Sequence, residues 1–216
     1  MKINGVIKIG IELRSGEYGN YYTNSYDSSN ALNMDQMKLN AYYIYDYLRN
    51  KSFTKNAICG MLGNMQTEST INPGRWQGDR VGGEPSGHGY GLVQWTPYTK
   101  YTTWIGVNNH PEDMNHNLER ILFEVDKGIQ WIATSTYNFS FYNFTRSTET
   151  PEYLALAFLA CYERPADPNQ PQRATQARFW WEYLSDEPPT PPTPPVRVQN
   201  TKKWLMSNQF KINIRW

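Results

Sequence analysis

The stretch from Lys55 to Pro73, KNAICGMLGNMQTESTINP, sets the tightest limit on what this chain can fold into. Read with helical spacing, it places Ala57, Ile58, Met61, Leu62 and Met65 on one apolar stripe. Glu68 follows Met65 by three positions and Met61 by seven, so its carboxylate continues that buried face. Asn72-Pro73 stops the helix, and Glu68 falls in the last turn, where the helix dipole is negative. Desolvation and the dipole both disfavour the ionised form. The expectation is a raised pKa and a side chain that holds a proton near neutral pH, as a general acid must. The competing reading is a solvated glutamate near a helix end, the commoner fate of this residue type.

The rest of the chain arranges itself around this helix. Upstream, residues 1–29 read as a strand, with Ile7, Ile9, Ile11 and Leu13 alternating against Lys8 and Glu12, followed by a Gly, Tyr, Asn and Ser-rich connector. Asn33 with Gln36 three positions later forms a capping-box signature, opening a helix in which Met34, Met37, Ala41, Ile44, Tyr45 and Leu48 recur at helical spacing. A glycine-rich loop from Gly74 to Gly91 comes directly after the candidate acid, where a substrate cleft is expected. A further amphipathic helix spans about Met114 to Val125, with Leu118, Ile121, Leu122 and Val125 inward and Glu119, Arg120 and Glu124 outward. Residues 130–144 are aromatic and poorly periodic, and carry no assignment.

Thr150-Pro151-Glu152 is a strong helix start, and the following YLALAFLACYE is apolar all round, the pattern of a central buried helix. Arg164-Pro165 ends it, and a last helix from Gln172 to Leu184 packs through Ala177, Trp181 and Leu184. Residues 30–185 therefore form one mostly helical domain with its chemistry in the loops between helices. Residues 186–195 include EPPTPPTPP, a semi-rigid polyproline spacer of roughly 28 Å at about 3.1 Å per residue. The segment 196–216 holds five basic residues and no acid, and its FKINIRW alternation is a strand signal.

Composition narrows the function classes. A net charge of +1 over 216 residues argues against a chain-wide field for nucleic acid. No apolar run reaches transmembrane length, and Lys2, Asn4, Lys8 and Glu12 interrupt the N-terminus, so neither a membrane span nor a signal peptide is expected. The 15% aromatic content, with 16 Tyr and 8 Trp, suits carbohydrate recognition, a packed interface or an ordinary core equally. Cys59 and Cys161 sit in apolar helices and read as reduced packing residues, with one disulfide as the alternative. His88, His110 and His116 lack HExxH or Cys/His ligand spacing, and no Walker or Rossmann glycine pattern is present, so no metal or other cofactor is expected.

What remains is a glutamate acid, a glycine loop with Tyr90 and Trp95, and a buried helix ending in Tyr162 and Glu163. The segments GNMQTES, GYGLVQWT and ACYERP resemble the three motif blocks of the phage tail lysozyme family, related to goose-type lysozymes and lytic transglycosylases. The likeness is strongest to the lysozyme domain of tail-knob proteins from small podoviruses and covers about residues 30–185. It implies a mostly α, lysozyme-like (α+β) domain of several helices with a loop-built cleft, here with short terminal β segments.

By that resemblance Glu68 is the catalytic acid, Gln94 a cleft-lining amide, and Tyr162 a hydroxyl facing the acid. Trp76, Tyr90 and Trp95 would be sugar-contacting aromatics, with Gly91, Thr96 and Glu163 completing the substrate-binding set. Where the transglycosylase relatives carry A-Y-N, this chain has Tyr162-Glu163, so the asparagine is missing. Glycosidic cleavage needs a neutral acid plus a negative partner or an activated water. Asp79, Glu84 and Glu163 are the candidates for the second role. The implied activity is muramidase cleavage of peptidoglycan glycan strands by a protein of the phage virion tail, together with other tail proteins. Transglycosylation, a free endolysin, and a non-catalytic wall-binding tail protein are the alternatives.

Overall fold

A computed structural model describes residues 25–79 and 87–184. The expected terminal strands, the proline spacer, the basic segment and Glu84 lie outside the described residues, as does the side chain of Asp79. Seven α-helices account for most of the rest: α1 Met34–Arg49, α2 Lys55–Ser69, α3 Thr99–Ile105, α4 Met114–Lys127, α5 Phe141–Arg146, α6 Pro151–Phe158 and α7 Gln172–Tyr183. Among the described residues, extended pairing is confined to two isolated antiparallel bridges, Trp76 with Tyr90 and Tyr90 with Trp95. No described helix is long and apolar enough to cross a membrane. The domain is mostly helical and lysozyme-like, as expected from the sequence.

Local chemistry starts the helices where the sequence places them. Asn33 and Gln36 close a reciprocal capping box at α1. Thr54 accepts from the Ala57 amide at α2, and Thr150 caps α6 with Pro151 at its first position. The inner face of α1 is Met37, Ala41, Ile44, Tyr45 and Leu48, whereas Met34 at the first turn is exposed.

Helix α2 is central and packs mainly against α7 and α6. Two of its glycines set the approach. A Cβ on Gly60 would lie 2.9 Å from the backbone of Leu154 in α6, and one on Gly63 would lie 2.4 Å from the Arg173 carbonyl in α7. Gly63→Ala gains about 1 kcal/mol of helix propensity, but the backbone clash costs about 1–3 kcal/mol or more because α7 must move. Net destabilisation is the expected result in urea unfolding, and a variant more stable than the wild type would refute this packing argument.

Two aromatic groups fill the core. One joins Trp76 to Tyr90 at 4.5 Å between ring centroids and Trp95 to Tyr101 at 4.6 Å. The other stacks Phe158 on Tyr162 at 4.4 Å and Trp131 on Phe141 at 5.2 Å. The unassigned stretch 130–144 supplies Trp131, Phe141 and Phe144 to this second group. Its aromatics turn inward from a loop and the short α5, which explains why no period was visible. Cys59 and Cys161 are free and buried, and burial pushes the Cys59 thiol up to about 12. On α7 the fully buried indole is Trp180, where Trp181 was expected. Trp181 is partly buried and donates to Asn56 Oδ1 at 2.7 Å.

Candidate active site

Three chain segments, joined by Lys100 of α3 and Gln130 after α4, meet at one cavity of about 360 Å³: the C-terminal end of α2, the loop on either side of the Tyr90 bridges, and the turn that follows α6. Each is shaped by an unusual backbone. Helix α2 ends at Ser69, because Thr70 and then Ile71 take left-handed φ values of 55° and 54°. A β-branched residue there is strained. The Asn40 amide compensates by donating to the Ile71 carbonyl at 2.9 Å. Gln94 also has positive φ, at 49°, and its Nε2 donates to the carbonyls of Arg75 and Gly91. These bonds fold GYGLVQW into a tight turn closed by Trp95 N donating to Tyr90 O at 3.0 Å. After α6 the helix widens into a π turn, Leu159–Glu163, closed by Arg164 N donating to Leu159 O at 2.8 Å. Single π turns recur at functional sites because they re-aim successive side chains.

Glu68 lines the cavity, and its side chain is 21% exposed. Its Oε1 accepts from Arg173 Nη2 at 2.6 Å, while Arg173 itself is buried on α7. Arg173 also donates to Asn64 Oδ1 at 3.0 Å and Gln170 Oε1 at 2.7 Å. Asn64 in turn donates to the carbonyls of Gly60 and Ala155, so α2, α6 and α7 all fix this guanidinium. The sequence placed Glu68 on a purely apolar face. In the structure a buried cation orients it. The signal was present in QPQRATQA, where Arg173 occupies the inward position ahead of Ala177, but charge on a helix usually faces water.

Glu163, at the end of the π turn, lines the same cavity. Its Oε1 is closed off from solvent and has no hydrogen-bond partner among the described residues. Burial pushes the Glu163 carboxyl well above the ordinary glutamate range, and the Glu68 charge adds to this, opposed by Arg173. A raised folded-state pKa means that Glu163 favours the fold fully below the unfolded value, about 4.5, and that this contribution is lost as pH rises through the folded value. Glu163→Gln should therefore melt higher than the wild type at alkaline pH, with the difference shrinking towards acid. Melting curves over a pH series test this, and a constant difference would count against the raised Glu163 carboxyl.

Several expected site residues are placed otherwise. Tyr162 is 1% exposed and off the cavity wall, and its hydroxyl donates to Glu124 Oε2 at 2.5 Å. Its hydroxyl is thus engaged by Glu124, while Glu163 at the end of the π turn lines the cavity. Trp76 and Trp95 contribute to the wall but are 0% and 2% exposed, and Tyr90 is 0% exposed. With their faces packed in the core, these rings offer little surface for a sugar to stack on. Gly91 is buried with φ of 85°, and a Cβ there would meet Asn117 Oδ1 at 2.7 Å, so it shapes the turn. Gln94 is on the wall, as is Thr96, which is exposed and donates to the Gln94 carbonyl. Arg75, Lys100 and Arg164 add positive charge to the wall.

Glu124 is a correction of a different kind. Expected on the outer face of α4, it is 0% exposed. Its carboxylate accepts from Trp95 Nε1 at 2.9 Å, Arg120 Nε at 2.9 Å and the Tyr162 hydroxyl. Burial pushes the carboxyl up, while these donors oppose the shift. It thereby ties the turn bearing Gln94 to the π turn bearing Glu163.

Residues 39–184 match the family described as phage tail lysozyme. Over 161 residues the chain is 53% identical to "Morphogenesis protein 1" of Bacillus phage B103, an alignment covering 74% of this chain and 43% of that protein. The chain thus corresponds to less than half the length of this relative. With the matched region running from α1 to the end of α7 and enclosing every residue of the cavity wall, the chain belongs to the phage tail lysozyme family.

Proposed function

We infer that the chain is a peptidoglycan-degrading glycoside hydrolase, a muramidase cutting the MurNAc-GlcNAc bond with Glu68 as general acid. One observation carries this reading: Glu68 stands in the wall of a cavity within the usual size range of ligand sites, with a second carboxyl, Glu163, in the same wall. Two carboxyls about one glycosidic bond are what such hydrolysis requires. Arg173 fixes the Glu68 side chain, which removes the entropic cost of orienting it at each turnover. Gln94, Thr96 and Lys100 supply polar groups for sugar hydroxyls and amides along the wall. The likeness to a phage morphogenesis protein supports a place in the virion tail, with peptidoglycan as substrate and other tail proteins as neighbours.

Digestion of purified bacterial cell walls followed by mass spectrometry of the soluble products tests this. Reducing muramic acid ends are expected. Anhydro-muramic ends would replace the hydrolase with a transglycosylase, and binding without release of fragments would reduce the protein to a wall-adhesion module. Antibody detection in purified particles tests the virion assignment, and detection in host lysate alone would make it a free endolysin.

A further inference from the structure

We propose that Glu163 is the second catalytic carboxyl, storing the proton that Glu68 delivers and then, as carboxylate, taking a proton from the attacking water. This rests on the hydrolase reading and gives the second carboxyl of that reading its role. At rest Glu68 accepts from a guanidinium 2.6 Å away that cannot follow a moving carboxyl, because Asn64 and Gln170 hold its other nitrogens. To deliver a proton from this fixed position, Glu68 needs a source within the cavity. Glu163 is that source by position: it shares the cavity wall with Glu68, and it has no ion-pair or hydrogen-bond partner for Oε1 among the described residues.

The adjacent cation is committed elsewhere. Arg164 Nη1 donates to the carbonyls of Gln130 and Cys161, turning its guanidinium to the backbone. The charged groups facing Glu163 are thus Glu68 from α2, Arg173 from α7, Glu124 from α4 and Arg164 from its own turn, with Arg75 and Lys100 on the same wall. Burial and the charges of Glu68 and Glu124 push the Glu163 carboxyl up, and Arg173 and Arg164 oppose the shift.

The cycle balances. Neutral Glu163 passes its proton to the Glu68 carboxylate as the glycan enters. Neutral Glu68 protonates the glycosidic oxygen, the C–O bond breaks, and the leaving sugar departs as an alcohol. The Glu163 carboxylate then removes a proton from water while the water oxygen bonds to the anomeric carbon. Glu163 is again neutral, Glu68 is again paired with Arg173, and one water has been consumed per bond cut.

The test compares Glu68→Gln and Glu163→Gln on cell walls and on an aryl chito-oligosaccharide whose nitrophenol leaving group needs no protonation. Both variants should lose on the order of 10²-fold or more on walls, the scale of one acid or base role. On the aryl substrate Glu68→Gln should recover and Glu163→Gln should not, because water activation is still missing. The residual wall activity of Glu163→Gln should also lose its alkaline limb at lower pH than the wild type, since the stored proton is absent. Glu163→Gln at wild-type rate with an unmoved alkaline limb, beside a dead Glu68→Gln, would overturn the proposal and leave the hydrolase reading standing. Wild-type rates from both variants would overturn both. If Glu163→Gln fails to fold, the alkaline limb of Glu163→Asp decides: a displaced limb supports the role, and an unmoved one refutes it.

Discussion

Glu68→Gln should cut cell-wall cleavage by about 10² to 10⁴-fold while the domain remains folded. Glutamine preserves the shape and an acceptor oxygen but cannot supply a proton to the glycosidic oxygen. The stability cost is larger than for an ordinary surface glutamate, because Arg173 is buried and loses its counter-charge. Glutamine still accepts one hydrogen bond and the Glu68 side chain reaches solvent, so the loss is held to about 1–2 kcal/mol. A turbidity assay on purified walls, paired with a melting curve of the same preparation, separates the two effects. Unchanged lysis would remove Glu68 from the chemistry, and loss of the fold would show that Arg173 depends on its charge.

Glu124→Ala should be the most damaging single change to stability, at about 3–5 kcal/mol. The carboxylate is fully buried, and removing it strands the Arg120 guanidinium, the Trp95 indole N–H and the Tyr162 hydroxyl at once. Each is a donor with little access to water, so the full desolvation cost is felt. Against a typical total of about 5–15 kcal/mol, this takes a large share of the fold's margin. Urea unfolding measures it, and a loss below about 1 kcal/mol would mean the two aromatic groups hold together without Glu124. Surviving protein should also cleave walls poorly, because Trp95 and Tyr162 adjoin Gln94 and Glu163 in the chain.

What could be read from the sequence followed the strength of local signals. The caps Asn33, Thr150 and the proline at 151 fixed two helix starts, because these groups act within one turn of themselves. The apolar stripe of α2 and the all-apolar α6 marked the core for the same reason: periodic burial is written residue by residue. The described part of the glycine loop and the turn after α6 both contribute to the cavity wall with Glu68.

The failures share a cause. Glu124 and Arg173 are charged residues whose burial is offset only by partners far along the chain, Trp95 and Tyr162 for one and Glu68 for the other. Tyr162 and Glu163 differ in direction because of a π turn, which has no clear composition signature. Trp76, Tyr90 and Trp95 have the amphipathic rings of a sugar site and the burial of a core, and only packing distinguishes these. The sequence by itself determined α1, α2, α4, α6 and α7 and the buried faces of α1 and α2, because propensity, capping and periodicity are local, while the short α3 and α5 left no such signal. Tertiary structure alone decided which charges are buried, which carboxyls share a cavity and which rings are spent on the core, because each of those depends on long-range partners that offset desolvation.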